Sequence, residues 1–110
     1  MKMIQIYSES GADGMRMRDI LYQDGFADIT VSDVSAMPAR PRDLILIIYA
    51  KSNISGLIQN LSECECKVIL LLNPDCYAMY LERARHCGIT LLLMPVAPFV
   101  LLDTVRSAIS

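Results

Sequence analysis

The chain has 110 residues, 54% of them apolar and 20% charged, which is enough for one cored domain and too short for two ordinary ones. Ten Lys and Arg against twelve Asp and Glu leave a net charge of −2, spread evenly along the chain: six basic and seven acidic groups in residues 1–55, four and five in residues 56–110. No basic face of the kind that neutralises phosphates is visible, which argues against direct nucleic-acid binding by this segment.

The opening Met1-Lys2-Met3-Ile4-Gln5-Ile6 contains no long apolar segment, so no secretory signal is expected. The most apolar stretch, Ile89 to Leu102, is broken by Pro95 and Pro98 and is too short to span a bilayer. The sequence therefore reads as a soluble cytoplasmic protein with no membrane partner. Its four cysteines (Cys64, Cys66, Cys76, Cys87) are expected as reduced thiols, and Cys64-x-Cys66 would pair only with strain.

Met3-Ile4-Gln5-Ile6-Tyr7 reads as a first strand. Asp13 is expected to cap a helix from about Gly14 to Asp24, with Met17, Ile20 and Leu21 on one face and Gly25 as its C′ residue. Ile29-Thr30-Val31 is a brief second strand. The following segment, Ser32 to Arg42, contains Pro38 and Pro41 and has room for one helical turn at most. Leu44-Ile45-Leu46-Ile47-Ile48-Tyr49 is apolar at every position, the pattern of a strand buried on both faces of a parallel sheet. Ile54, Leu57, Ile58 and Leu61 then follow at helical spacing, with Ser52 or Asn53 as cap.

Val68-Ile69-Leu70-Leu71-Leu72 is a second doubly buried strand. Pro74-Asp75 opens a helix in which Tyr77, Tyr80, Leu81 and Ala84 share a face and Gly88 supplies the stop. Thr90-Leu91-Leu92-Leu93-Met94 is expected as a third buried strand, ended by Pro95. A last helix runs from about Pro98 to Ile109, with Leu102, Val105 and Ile109 inward. This alternation predicts an α/β domain, a five-stranded parallel sheet with helices on both faces.

The pattern resembles the receiver domain of bacterial two-component response regulators, a flavodoxin-like doubly wound fold. The resemblance spans essentially the whole chain. It rests on element order, on Asp43-Leu44-Ile45-Leu46-Ile47, on Lys67-Val68-Ile69-Leu70-Leu71, and above all on Cys87-Gly88-Ile89 followed by Leu93-Met94-Pro95. It implies a (βα)5 arrangement with strand order 2-1-3-4-5, here with the second helix cut down to the Pro38–Pro41 loop. It also implies that residues 1–110 are a single receiver-like domain, isolated or forming the N-terminal part of a longer regulator.

In that family a phosphoryl group is transferred to an aspartate at the end of the third strand. Two acidic residues after the first strand hold Mg²⁺, a hydroxyl after the fourth donates to the phosphoryl group, and a Lys after the fifth offsets its charge. Laid onto this chain, the acidic pair falls on Ser8 and Glu9. The nucleophile position falls on Ile48 or one residue either side, the hydroxyl on Leu72 or Asn73, and the Lys on Met94. Four of five parts are missing. The resemblance is therefore to an atypical, or pseudo-, receiver: non-catalytic, not phosphorylated, without metal or cofactor. It would act by dimerisation or protein docking and regulate an attached output domain in transcription, antitermination or an ATPase that positions machinery.

Glu9 and Lys51 fall at the carboxyl ends of neighbouring central strands, where an ion pair between them would hold the domain in one state. Met79, Tyr80, Val100 and Leu101 cannot all face inward if Tyr77, Leu81, Leu102 and Val105 do, so they are the expected interface. It would lie on the face of the last two helices and the fifth strand, the usual dimerisation surface of the family. The alternative reading is a small flavin- or nucleotide-binding protein of the same fold, suggested by the Ser8–Asp13 loop leading into a helix. Glu9 and Asp13 would repel a phosphate there, and Asp13 as an ordinary cap accounts for the loop. A third reading is phosphorylation at an unexpected residue. Cys64, Cys66, Cys76, His86 and Cys87 do not match zinc spacings and read as ordinary side chains.

Overall fold

The computed structural model describes residues 4–41 and 44–109. Met3, Arg42 and Asp43, which the sequence reading placed in the first strand, the proline loop and the third-strand motif, lie outside them. The elements are β1 (Ile4–Ser8), α1 (Gly11–Gln23), β2 (Ile29–Ser32), a 3-10 turn (Val34–Ala36), β3 (Ile45–Tyr49), α2 (Ile54–Leu61), β4 (Lys67–Leu72), α3 (Pro74–His86), β5 (Thr90–Leu93) and α4 (Pro98–Ile109). The strands form one parallel sheet in the order β2-β1-β3-β4-β5, the flavodoxin-like order.

Alternation along the buried strands divides the core in two. Ile4, Ile6, Ile45, Ile47, Tyr49, Ile69 and Leu71 face one way, toward Met17 and Leu21 of α1 and Leu101 and Val105 of α4. Tyr7, Leu46, Ile48, Leu70 and Leu72 face the other, toward Ile54, Leu57, Ile58 and Leu61 of α2 and Ala84 of α3. Full burial of each aliphatic side chain contributes about 1.5–3 kcal/mol, so β3 and β4 dominate the stability.

Four expectations are corrected. Ser10, not Asp13, caps α1: its hydroxyl accepts from the Asp13 N–H at 3.3 Å, and the helix starts three residues early. Leu44 is 52% exposed and lies outside β3, because the strand begins only where β1 pairs, Ile4 opposite Ile45. β5 is a half-exposed edge strand and not a buried one, with Leu91 inside and Thr90 and Leu93 in solvent. In α4 the buried line is Leu101 and Val105, flanked by half-buried Leu102 and Ile109, so the inward face is rotated by one residue.

Gly25 follows α1 at φ 98°, with its N–H on the Tyr22 carbonyl and that of Phe26 on Leu21. This is the left-handed stop expected there. Gly88 takes φ 73° after α3 in the same way.

Among the described residues no α-helix joins β2 to β3; a 3-10 turn stands there instead. The strands beneath have a matching composition. Gln5, buried on the uncovered side, accepts from the Thr30 hydroxyl and donates to the Ser32 hydroxyl at 3.4 Å, so that face of β1–β2 satisfies itself with side-chain hydrogen bonds. From the described part of the β2–β3 connection, Val34 and Met37 pack against that half of the core. Among the described residues, no helix is long and apolar enough to cross a membrane.

Candidate functional site: the carboxyl ends of the strands

Parallel order reverses between β1 and β3, and the crevice at such a switch point is where doubly wound sheets bind ligands. The Ser8–Glu9–Ser10 turn forms one wall. The Ser8 hydroxyl donates to the Ser10 carbonyl at 2.6 Å and accepts from the Ser10 N–H at 3.1 Å, which folds the turn back on itself. Gly14 lets α1 approach this turn closely: a Cβ there would stand 2.9 Å from Val31 Cγ1 and 3.1 Å from Ser8 Cβ. The loop that suggested a phosphate cradle thus spends its hydroxyls on its own backbone and on the α1 cap.

Glu9 turns toward β3. Its N–H donates to the Tyr49 carbonyl at 3.0 Å. Its carboxylate accepts from the Lys51 N–H, from the Ser52 N–H at 3.2 Å and from the Ser52 hydroxyl at 3.3 Å. Glu9 and Lys51 therefore meet as expected, but through the Lys51 backbone. The Lys51 ammonium instead lies 5.6 Å from the centre of the Tyr49 ring, in a cation–π arrangement. Asn53, next in this loop, holds φ 54° at the N-terminus of α2 and makes no side-chain cap.

Tyr49 is buried, and its hydroxyl donates to Asn73 Oδ1 at 3.0 Å, which links the end of β3 to the end of β4. Ile48 and Leu72 are fully buried in the α2–α3 side of the core, and Met94 is buried on the other side. Of the residues assigned to the degenerate pocket, Ser8, Glu9 and Asn73 thus supply polar groups at the crevice, whereas Ile48, Leu72 and Met94 serve as packing. Sequence reasoning missed Tyr49 as the group that bridges β3, β4 and Lys51. The available signal was an aromatic residue with a polar tip ending an otherwise aliphatic strand. At the end of β2, the Ser35 N–H on the Asp33 carboxylate holds that acid below its usual range.

The expected interface residues separate. Leu101 is fully buried in the core, which removes it from any surface. Tyr80 and Val100 are half-buried against the two core clusters. Met79, at 71% exposure, is open. It is joined by Phe99 (74%), whose Phe99–Leu102 run the sequence also pointed to, and by Leu93 (47%), which the sequence reading did not place there. All three belong to α3, β5 and the start of α4. The four cysteines are half-buried, and the Cys64 and Cys66 sulfurs both face the Pro41 carbonyl, at 3.9 and 3.4 Å.

No protein-family model matches the sequence, and a search of curated proteins finds no match. Among solved structures, the chain is similar to a response regulator CheY-like protein from Mesorhizobium loti. The TM-score is 0.73 and the identity 17%, over 97% of this chain and 98% of the other. At that identity the similarity establishes the shared fold.

Proposed function

We propose that this chain is a receiver-like signalling module that works by docking proteins, itself included, and not by phosphoryl transfer. The fold it shares with a CheY-like response regulator supports the signalling role. The observation that carries the non-catalytic part is the fate of the strand ends: Ile48, Leu72 and Met94 are buried apolar side chains where acyl-phosphate chemistry needs a carboxylate, a hydroxyl and an ammonium group. The Glu9 carboxylate is already engaged by three donors.

The docking part is supported by Met79, Leu93 and Phe99, which leave apolar surface on the outer strand and its flanking helices. The unpaired edge of β5 lies between those helices. Dimerisation there would regulate an attached output domain by bringing two copies together. Two measurements test the reading. Incubation with a small-molecule phosphodonor and Mg²⁺ is expected to leave the intact mass unchanged, and a stable phosphoryl adduct would overturn the non-catalytic part. Sedimentation over a wide concentration range is expected to show a monomer–dimer equilibrium, and a strict monomer at high concentration would overturn self-docking.

A further inference from the structure

We propose that Cys64 and Cys66 form a two-thiolate site for a cuprous ion, in the turn that joins α2 to β4. Both sulfurs face one oxygen: the Pro41 carbonyl lies 3.4 Å from the Cys66 sulfur and 3.9 Å from that of Cys64. Two S–H groups directed at a single acceptor mark a point that one cation can take in place of both protons. The Cys66 N–H donates to the Cys64 sulfur at 3.2 Å, which holds that side chain over the turn. Independently of these bonds, the pair opens onto a surface hollow with Pro41 and Leu44 on its apolar side. Glu63 and Glu65 line the same hollow against Arg40, so the charge of the described lining residues favours a cation.

The choice of ion follows from the number and softness of the ligands. Among the described residues, no three His, Cys, Asp or Glu side chains are placed to hold a metal together. Zinc, which asks for four ligands, is therefore poorly served, whereas a thiolate pair suits copper(I). A disulfide would strain the one-residue loop, and an ion between the sulfurs spans a wider gap and avoids that strain. Binding involves no redox step: two S–H bonds break, two sulfur–copper bonds form, two protons leave to water and the copper stays at +1. The site sits at the amino end of β4, away from the Glu9 crevice at the carboxyl ends of the strands, and can fail without affecting the docking reading.

The test is a titration of the reduced, intact chain with copper(I), kept cuprous by ascorbate under nitrogen, in competition with the chromophoric chelator bicinchoninate. One ion per chain should leave the chelator, and a thiolate-to-copper band should appear in the ultraviolet. Cys64→Ser and Cys66→Ser should each weaken binding by at least about a hundredfold, since losing a ligand costs more than losing an outer-shell partner. Cys76→Ser and Cys87→Ser should leave it unchanged, and zinc offered in the same way should not be retained. Each exchange alters one atom at a half-buried position, and circular dichroism reports the fold; should one variant of the pair unfold, the other is read in its place. A folded chain that takes no copper from the chelator, or binding that survives both substitutions in the pair, would overturn the proposal. So would equal retention of zinc, or binding that depends on Cys87.

Discussion

The two ends of the β1-to-β5 span handle their side chains in opposite ways. At the exits of β1 and β3, polar groups turn onto one another: Glu9 onto the Lys51–Ser52 backbone, the Tyr49 hydroxyl onto Asn73, Ser8 onto Ser10. Along β5, in α3 and at the start of α4, apolar groups remain uncovered at Met79, Leu93 and Phe99. One region has closed the crevice that its fold usually offers to a ligand. The other keeps open a surface that water does not favour. The docking proposed above rests on that contrast.

The severest way to break the comparison is to reopen the closed end. Ile48→Asp places a carboxylate where the side chain is fully buried in the hydrophobic core. Destabilisation of about 3–5 kcal/mol or more is expected in urea unfolding, without gain of phosphoryl uptake. A stable variant that accepted phosphate would show that the crevice is closed by sequence and not by packing.

Next in size, Leu101→Ala should cost about 2–5 kcal/mol, as a core cavity does, and leave any self-association per folded molecule unchanged. The opposite result would return Leu101 to the surface. Leu93→Lys and Phe99→Ser should reverse that pattern: stability within about 0.5 kcal/mol of the parent, but dimerisation weakened in sedimentation. If both variants associate like the parent, the edge is not the docking surface.

The smallest effect concerns Asp33. Its pKa is held down in the folded state by the Ser35 N–H, so this carboxylate favours folding above its unfolded pKa of about 3.9 and loses that contribution as the pH falls through its lower folded value. Asp33→Asn should therefore lower stability slightly at neutral pH, converge with the parent at acid pH, and so flatten the acid limb of the stability–pH curve.

The strands and helices were legible because burial imposes period and run length. The unbroken apolar runs at 45–49 and 68–72 have no alternative to a covered parallel sheet, and Ile54, Leu57, Ile58 and Leu61 all point inward as their spacing requires. Sheet position was less legible. The Leu91–Leu93 run is as unbroken as the apolar residues of β3, yet it has one strand neighbour instead of two, and no local pattern distinguishes an edge from a centre. At the candidate site, the residues were found but not their bonds. A Glu and a Lys at adjacent strand ends suggest an ion pair, whereas the carboxylate takes backbone N–H groups that no sequence motif marks. Leu101 and Leu102 were exchanged for a related reason: neighbours on a helix differ by about 100°, and the inward direction is set by where α1 packs.

The hydrogen-bonded Gln5, Thr30 and Ser32 beneath the absent helix also bear on how the molecule opens. Peeling β2 away breaks a single ladder and, on that flank, releases almost no oily surface into water, so the opening lacks the penalty that locks the middle of the sheet. Its amides should trade hydrogen for deuterium well ahead of those in β3 and β4, and this corner should be the first part of the domain to yield.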